Sequence, residues 1–371
     1  MQRARVGVVG ASGYSGAVAA RLLAGHPEFE LAFCTSDRRA GESVARALGA
    51  VLACDSAELR FEPNPSVDAP SSALIDRCDV VVLATSARVS AELAPIYLDA
   101  GQHVVDLSGA FRLADAGEFA RAYGFDHPCA SWLARAHYGL PEIFGAPAMR
   151  AEHGGPTLIA NPGCYPTATL LALAPLVSAG LIEPEGIIVD AKSGVTGAGR
   201  QTTEEFSFAE VEGDLRAYKL LSHQHKPEIA RALSRLFESG GGAPTAKGAR
   251  DVRVTFTPHL LPVKRGLLAT CYARPRAGAG ATAKVVAECL ADAYAGKRFV
   301  AACPPEQVTL NAVVGTNLAR VGATADGDVV IAIASIDNLL KGAAGQAMQN
   351  LNLLYGHDDG VGLEHLQKVS P

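Results

Sequence analysis

The sequence is poor in aromatic side chains and in runs of charge of one sign. Phe, Trp and Tyr make up 6% of the 371 residues, whereas apolar residues reach 49%. A core of this composition is built mostly from Ala, Val and Leu. The formal net charge is −5, and Lys and Arg are scattered singly or in pairs. The sequence therefore predicts no nucleic-acid partner and no binding to an anionic membrane surface.

Long uninterrupted apolar runs are also missing. No stretch approaches the ~18 apolar residues that a membrane-spanning helix requires. Residues 1–25 begin like a secretion signal, but three glycines interrupt the apolar stretch and Arg21 falls inside it. We therefore expect a soluble cytoplasmic protein with no membrane partner.

Paired cysteines are absent as well. The eight cysteines show no CxxC spacing, so neither a disulfide framework nor a zinc site is predicted, and we expect no metal. Most of these thiols should be inert and lie in or near the core. The eight cysteines are Cys34, Cys54, Cys78, Cys129, Cys164, Cys271, Cys289 and Cys303.

What the sequence does contain is an alternation of strand-like and helix-like segments in its first half. This rhythm predicts a parallel sheet with helices on its faces. Predicted strands cover 5–10, 29–35, 79–85, 102–108 and 157–163, with a helix over 14–25.

The pattern changes after residue 164, where strands no longer alternate regularly with helices. Predicted strands cover 186–194, 251–258, 266–275 and 328–335, with helices over 227–239, 281–296 and 338–355 and a loop at 240–249. The fold class is therefore α/β: a Rossmann-type dinucleotide-binding domain followed by an α+β domain on a mixed or antiparallel sheet.

A glycine-rich loop joins the first predicted strand to the first helix. "VVGASGYSG" places Gly10, Gly13 and Gly16 where a tight turn, close approach to a pyrophosphate and close helix packing require glycine. The amide groups of the helix N-terminus would then face the phosphates. The other candidate cofactor contacts in this loop are Ser12, Tyr14 and Ser15.

The end of the second strand, "CTSDRR", indicates which dinucleotide binds. Thr35, Ser36 and Arg38 suit a ribose 2′-phosphate, whereas Asp37 suits a free ribose. We favour NADP as the cofactor.

Cys164 lies between a Pro-Gly turn and an apolar run with helical spacing, in "NPGCYPTATLLALAPL". Pro166 is tolerated in a first helical turn and supports a helix that begins at or just after the cysteine. The positive end of the helix dipole lowers the pKa of a thiol at this position. Cys164 is therefore the candidate nucleophile.

A histidine doublet supplies a candidate proton partner. His223 and His225 stand in "SHQHKPEI" before a predicted helix. In extended backbone, residues two apart point to the same side, so both could face one site. The sequence leaves open which of the two transfers the proton.

Candidate anion-binding groups occur at three places. "SGVTGAGR" offers Ser193, Gly194 and Arg200 in a glycine-rich segment. "DLSGAFRL" places Arg112 after a strand end, where ligands of α/β sheets bind, and Arg265 follows in "PVKRG". With a thiolate and NADP, these groups suggest an anionic, carbonyl-bearing substrate.

Seven motifs in order resemble the N-acetyl-γ-glutamyl-phosphate reductase family of arginine biosynthesis, a relative of aspartate-semialdehyde and glyceraldehyde-phosphate dehydrogenases. The motifs are "GASGYSG", "DLSGAFRL", "YGLPE", "NPGCYPTA", "SGVTGAGR", "HQHKPEI" and "DNLLKGAAGQAMQNLNLLYG". The resemblance spans nearly the whole chain. Ala110 stands where many relatives carry aspartate, and Lys226 where they often carry threonine.

The resemblance implies an NADP-binding domain of residues 1–163 plus 337–371 and a catalytic and oligomerisation domain of residues 164–336. It also implies that Cys164 is the nucleophile, that the histidine doublet is the acid/base, that Arg112 binds the phosphate and that Asn338 lies near the cofactor. A homo-oligomer, dimer or tetramer, is expected.

The implied reaction is the NADPH-dependent reduction of a small anionic acyl phosphate, N-acetyl-L-glutamyl 5-phosphate, to its semialdehyde through a cysteine thioester. The same chemistry on aspartyl phosphate or on a carrier-linked aminoadipyl phosphate stays open. A non-catalytic NADP-sensing regulator is the alternative from another class, although it would not need the cysteine and histidine motifs.

Overall fold

The chain folds into two compact units. The structure, a computed structural model, describes residues 3–49, 58–67, 72–147, 155–200, 208–239 and 251–364. The first unit ends at Gly163 and resumes at Ala343, and the second runs from Cys164 to Gly342. The chain returns to the first unit after Gly342, whereas the expected boundary lay after residue 336. The predicted loop at 240–249 lies outside the described residues.

The first unit contains a seven-stranded sheet in which every pairing is parallel. Its strands lie in the order β3-β2-β1-β4-β5-β7-β6. They are β1 (Ala4–Val9), β2 (Phe29–Thr35), β3 (Phe61–Glu62), β4 (Val80–Leu83), β5 (His103–Asp106), β6 (His137–Tyr138) and β7 (Leu158–Ala160). All four residues of β4 are buried, as expected for a parallel strand covered on both faces. The predicted Rossmann-type sheet is confirmed.

Among the described residues of this unit, seven α-helices connect or cover the strands. They are α1 (Tyr14–Ala24), α2 (Val44–Leu48), α3 (Ser72–Ile75), α4 (Ala87–Asp99), α5 (Ala116–Tyr123), α6 (Pro141–Phe144) and α11 (Gly345–Leu354). Helix α11 returns from the far end of the sequence and packs against α1. The first unit is therefore built from two distant parts of the chain.

The second unit is built on a mixed sheet, as predicted. Its order is β12-β13-β14-β11-β8-β10-β9, with parallel pairs at β8/β10 and β12/β13 and antiparallel pairs elsewhere. The strands are β8 (Ile187–Gly194), β9 (Arg216–Ala217), β10 (Val254–Leu261), β11 (Leu267–Ala273), β12 (Val300–Ala302), β13 (Ala319–Asp326) and β14 (Val329–Ile336).

In the described part of this unit, four α-helices accompany the sheet: α7 (Cys164–Ser178), α8 (Phe208–Val211), α9 (His225–Ser239) and α10 (Ala283–Ala293). Helix α7 is buried from Tyr165 to Val177 and packs against α9, α10 and three strands. A helix that is apolar on all sides needs this position at the centre of a core.

The predicted helix over 338–355 is wrong in its first part. Residues Leu340–Ala344 form a π-helix, and the α-helix begins only at Gly345. The amide of Gly342 donates to the carbonyl of Asp337, five residues back, at 3.0 Å. Single π turns of this kind are rare and occur frequently at functional sites.

The described cysteines are not all core residues. Cys34, Cys78 and Cys271 are buried, and burial raises the pKa of each thiol, to about 12 for Cys34 and Cys78. Four others are half-buried, Cys164 among them, and Cys54 lies outside the described residues. In the part of the chain that the structure describes, no helix is long and apolar enough to cross a membrane.

Candidate active site

The glycine loop of the first unit is crowded at two of its three glycines. Gly10 has φ +80°, and a Cβ on it would lie 2.7 Å from the carbonyl oxygen of Ala84. A Cβ on Gly16 would lie 2.5 Å from the Gly10 oxygen, so this glycine lets α1 pack closely on the strand end. Gly13 meets nothing nearer than 3.5 Å, so protein crowding does not require glycine there. Crowding within the protein therefore accounts for glycine at positions 10 and 16 but not at position 13.

Hydrogen bonds tie the glycine loop to the end of β2. The Thr35 hydroxyl accepts from the Gly10 amide at 3.2 Å and donates to Asn64 at 2.7 Å. Ser36 donates to the Ser12 hydroxyl at 2.7 Å. Thr35 and Ser36 are buried, so both hydroxyls shape the loop. Tyr14 and Ser15 are half-buried in the first turn of α1.

The carboxylate of Asp37 is already engaged within the protein. Its Oδ1 accepts from the backbone amide of Asn64 and its Oδ2 from the Asn64 side chain, both at 2.8 Å. Arg38, next along the chain, is exposed. The structure therefore turns the acidic side chain toward Asn64 and leaves a cation at the end of β2.

Arg112 is held at the carboxyl edge of the parallel sheet. Its Nε donates to the carbonyl of Asn161 at 2.8 Å, and its Nη2 donates to that of Leu107 at 2.8 Å. The amide of Asn161 donates to the carbonyl of Asp106, the last residue of β5, at 2.9 Å. Arg112 is thus fixed between the ends of β5 and β7, where ligands of such sheets bind.

The Asp106 carboxylate organises the turn before Arg112. It accepts from the amide of Ser108 at 3.0 Å and from its hydroxyl at 2.9 Å. Burial raises the pKa of Asp106, and the bonds from Ser108 and the charge of Arg112 oppose that rise. Ala110 is fully buried, and its amide donates to the Ser108 hydroxyl at 3.0 Å.

Asn161, in the loop just before Cys164, is held by the end of the π-helical turn and by α11. Its side-chain nitrogen donates to the carbonyl of Ala343 at 3.1 Å, and its side-chain oxygen accepts from Asn350 at 3.1 Å. The same Asn350 nitrogen donates to the carbonyl of Gly139 at 2.8 Å. The C-terminal helix therefore fixes the two loops that follow β6 and β7.

In the second unit, Cys164 is the first residue of α7, as predicted. The thiol is half-buried. This position places it at the positive end of a fifteen-residue helix. A Cβ on Gly342 would lie 2.8 Å from the Cβ of Cys164, so the backbone at Gly342 contacts the cysteine directly.

His223 and His225 lie side by side, with ring centroids 4.7 Å apart. They are not in extended backbone as predicted, because His225 begins α9 and its amide donates to Nδ1 of His223 at 3.1 Å. Burial, helped by the charge of Lys219, lowers the pKa of His223 to about 4. His225 is half-buried, and its ring lies 5.9 Å from that of Tyr165, the residue after Cys164.

Tyr165 and Tyr218 complete this cluster. The Tyr218 hydroxyl donates to that of Tyr165 at 3.1 Å, and Tyr165 donates to the carbonyl of His259 at 3.2 Å. Burial raises the pKa of both phenols, to about 12 for Tyr218, and the nearby charge of Cys164 raises both further. No local pattern in the sequence points to Tyr218, which lies 53 residues from Tyr165 along the chain.

The segment from Ser193 to Gly197 is fixed by Asn338. The amide nitrogen of Asn338 donates to the Thr196 hydroxyl at 2.9 Å, and its oxygen accepts from the amide of Gly266 at 2.8 Å. A Cβ on Gly194 would lie 2.7 Å from the carbonyl of Val263. Asn338 therefore holds two loops of the second unit together.

The two remaining arginines differ in their surroundings. Nη1 of Arg265 lies 3.5 Å from Oδ2 of Asp337, which is fully buried. Arg200 is exposed at the end of the glycine-rich segment. Within the described ranges, no group of three or more His, Cys, Asp or Glu side chains could hold a metal ion.

Two family models match most of the chain. The family model "Semialdehyde dehydrogenase, NAD binding domain" matches residues 5–150. The model "Semialdehyde dehydrogenase, dimerisation domain" matches residues 164–338 and so begins at Cys164.

Curated relatives match over nearly the whole chain. A protein of Desulforudis audaxviator named N-acetyl-gamma-glutamyl-phosphate reductase is 41% identical, with 97% of each chain covered. One of Pseudomonas aeruginosa with the same name is also 41% identical, over 97% of this chain and 98% of the relative. The chain belongs to the N-acetyl-gamma-glutamyl-phosphate reductase family.

Solved structures show that this reductase shares the fold of aspartate-semialdehyde dehydrogenases. Aspartate semialdehyde dehydrogenase II of Vibrio cholerae, complexed with ASA, has a TM-score of 0.65 at 20% identity and covers 96% of this chain and 99% of its own. The enzyme of Candida albicans, with NADP, has a TM-score of 0.62 at 18% identity, covering 95% and 99%.

Proposed function

We propose that this chain catalyses the NADPH-dependent reductive dephosphorylation of N-acetyl-L-glutamyl 5-phosphate to N-acetyl-L-glutamate 5-semialdehyde, a step of arginine biosynthesis. The reaction is reversible with NADP and phosphate. The observation that carries the proposal is Cys164 at the first residue of α7, beside the Tyr165–His225 contact. Family membership narrows the substrate from acyl phosphates in general to the acetylglutamyl compound.

Cys164 acts as the nucleophile. The N-terminus of α7 favours the thiolate, which is the reactive form of cysteine. The thiolate attacks the acyl carbon, the bond to the phosphate oxygen breaks, and a thioester with Cys164 remains. Covalent catalysis of this kind replaces one difficult step by two easier ones.

His225 is the acid/base residue. His223 accepts the amide of His225 at Nδ1, and burial lowers its pKa to about 4, so it stays neutral at pH 7. His225 is more exposed and stands at the start of α9 beside Tyr165. It gives a proton to the carbonyl oxygen during reduction and takes it back as the aldehyde leaves, whereas His223 positions it. General acid–base catalysis is worth roughly 10²–10⁴-fold in rate.

The first unit holds the cofactor, and its residues fit NADP. Gly10, Gly13 and Gly16 form the pyrophosphate loop, to which Ser12, Tyr14 and Ser15 belong. Arg38 would bind the 2′-phosphate, because the Asp37 carboxylate accepts two hydrogen bonds from Asn64. When bound, NADPH supplies the hydride that reduces the thioester.

Each unit carries candidate residues for the anionic groups of the substrate. Arg112, fixed by two carbonyls, takes the phosphate. Ser193, Gly194 and Arg200 contribute from the glycine-rich segment of the second unit. That Asn338 lies near the cofactor stays a prediction, since its amide is engaged by Thr196 and Gly266.

The decisive experiment compares Cys164→Ser with Cys129→Ser in the purified protein. Cys129 is also half-buried, so it controls for loss of a reachable thiol. We expect Cys164→Ser to lose reductase activity and Cys129→Ser to keep it. Substrate should protect Cys164, identified by peptide mass spectrometry, from iodoacetamide. Near wild-type activity of Cys164→Ser would overturn the assignment.

The substrate is tested in the same assay. Purified protein is given NADP, phosphate and one of three aldehydes: N-acetylglutamate semialdehyde, aspartate semialdehyde or a carrier-linked aminoadipate semialdehyde. We expect kcat/KM to be highest for the acetylglutamyl compound. A higher value for another aldehyde would reassign the substrate, and no turnover with any would revive the regulator hypothesis.

We also propose a homo-oligomer, dimer or tetramer, that forms through the second unit. Residues 164–338 match a dimerisation domain. One face of its sheet carries the exposed side chains of Ile188 and Tyr272, while alternate residues of the same strands are buried. Two large apolar side chains exposed on neighbouring strands are suited to a contact with another subunit. The expectation of a cytoplasmic location stays a prediction.

A further inference from the structure

The turn between β14 and residue 342 is anchored by a single buried carboxylate. Asp337 is fully buried, and its Oδ1 accepts from the amides of Leu339 at 2.8 Å and Leu340 at 3.1 Å. Its Oδ2 accepts from the amide of Gly315 at 2.9 Å and faces the guanidinium of Arg265. Four partners on three segments thus fix where this turn starts.

The turn then takes the π-helical form rather than the α-helical one. Gly342 donates to the carbonyl of Asp337, and the wider turn covers Leu340–Ala344. Such turns place one extra residue in the helix and survive mostly where function requires them. Neither the nucleotide loop nor the histidine cluster explains this one.

The residue that the turn brings forward is Gly342, and it contacts the nucleophile. A Cβ on Gly342 would lie 2.8 Å from Cβ and 3.2 Å from Cα of Cys164, and 3.2 Å from Cδ1 of Ile336. Carbon atoms in ordinary contact are about 3.5–4.0 Å apart. Any side chain at position 342 would therefore displace Cys164 or the turn.

We infer that Gly342 is a positioning residue for the nucleophile and that Asp337 holds it in place. The glycine backbone supports Cα and Cβ of Cys164 from the side and so fixes the direction in which its sulfur points. The inference rests on the proposed role of Cys164. A reacting group displaced by 1 Å can lose roughly 10²-fold in rate, so this support affects chemistry and not only packing.

Two glycines provide matched controls for Gly342→Ala. Gly322 is equally crowded, because a Cβ there would lie 2.6 Å from the carbonyl of Cys303, but it does not contact Cys164. Gly25 has nothing within 4 Å of the added Cβ and an ordinary φ of −104°. Gly322→Ala measures the effect of overpacking alone, and Gly25→Ala measures that of the substitution itself.

The test measures kcat, KM, thermal unfolding and the pH dependence of Cys164 alkylation by iodoacetamide in the full-length protein. For Gly342→Ala we expect kcat to fall roughly 10- to 100-fold, with a smaller change in KM and an altered alkylation profile. Gly322→Ala should unfold at a lower temperature but keep the wild-type kcat and the wild-type alkylation profile of Cys164. Gly25→Ala should match wild type in all four measurements.

Wild-type kcat and alkylation in Gly342→Ala would overturn the inference, as would equal losses in Gly322→Ala. If Gly342→Ala does not fold, Asp337→Asn replaces it, and an unchanged alkylation profile there would also overturn the inference. Activity retained in Cys164→Ser would instead show that Cys164 is not the nucleophile. The two experiments therefore distinguish a failure of this inference from a failure of the proposed function.

Discussion

Acid should destabilise the second unit through His223. The ring is buried among Tyr165, Tyr218 and Phe256, and its pKa is lowered to about 4 from an ordinary value of 6.5. The unfolded chain therefore binds a proton below about pH 6.5, while the folded chain resists protonation until about pH 4. The stabilising contribution of neutral His223 is complete above pH 6.5 and is lost as the pH falls through 4.

The size of this effect follows from the two pKa values. At about 1.4 kcal/mol for each pH unit between them, the contribution is on the order of 3 kcal/mol. We propose to measure it with His223→Asn, whose side-chain oxygen can still accept the amide of His225 but cannot titrate. Urea unfolding of both proteins between pH 8 and 4 gives the free energy of unfolding as a function of pH.

Above pH 7 the wild-type and His223→Asn curves should run parallel, because His223 binds no proton there in either the folded or the unfolded chain. Below pH 6.5 the wild-type curve should fall more steeply. Curves that stay parallel down to pH 4, or an NMR titration of His223 near pH 6.5, would refute the reasoning. The proposal that neutral His223 positions His225, which transfers the proton, would then also be wrong.

Three further predictions concern the cofactor, a buried amide and assembly. Arg38→Met should reduce the ratio of kcat/KM with NADPH to that with NADH by at least roughly ten-fold, because a hydrogen bond to a charged group is worth about 1.5–3 kcal/mol. Asp37→Asn should change this ratio little. Gln346 is fully buried with no hydrogen-bond partner for either amide atom among the described residues, so Gln346→Met should raise the melting temperature; a lower one contradicts this. Ile188→Glu with Tyr272→Glu should shift the mass measured by light scattering toward the monomer, and an unchanged mass would exclude this sheet face.

Local patterns predicted the parts of the fold and site that depend on neighbouring residues. The apolar run around Val80–Leu83 predicted a buried strand, and "VVGASGYSG" predicted a strand, a turn and a helix. The Pro-Gly turn and apolar spacing placed a helix start at Cys164. Each of these signals lies within a few residues of the feature that it predicts.

The features that the sequence did not predict depend on contacts between distant residues. Strand β13 is rich in Ala and Gly, which have low strand propensity, and it forms because it pairs with β14 along its whole length. Tyr218 joins Tyr165, and Asp37 turns to Asn64, through contacts that no local spacing encodes. The π turn depends on the carboxylate of Asp337 meeting Gly315 and Arg265.

The discontinuity of the first unit has a consequence during synthesis. Its loops at Gly139 and Asn161 are tied down by Asn350, which leaves the ribosome only after the entire second unit has been made. A nascent chain that ends at residue 342 has the strands of the parallel sheet but lacks the helix that holds these two loops. The loop at Asn161 can therefore be held in place only after a further 189 residues have been synthesised.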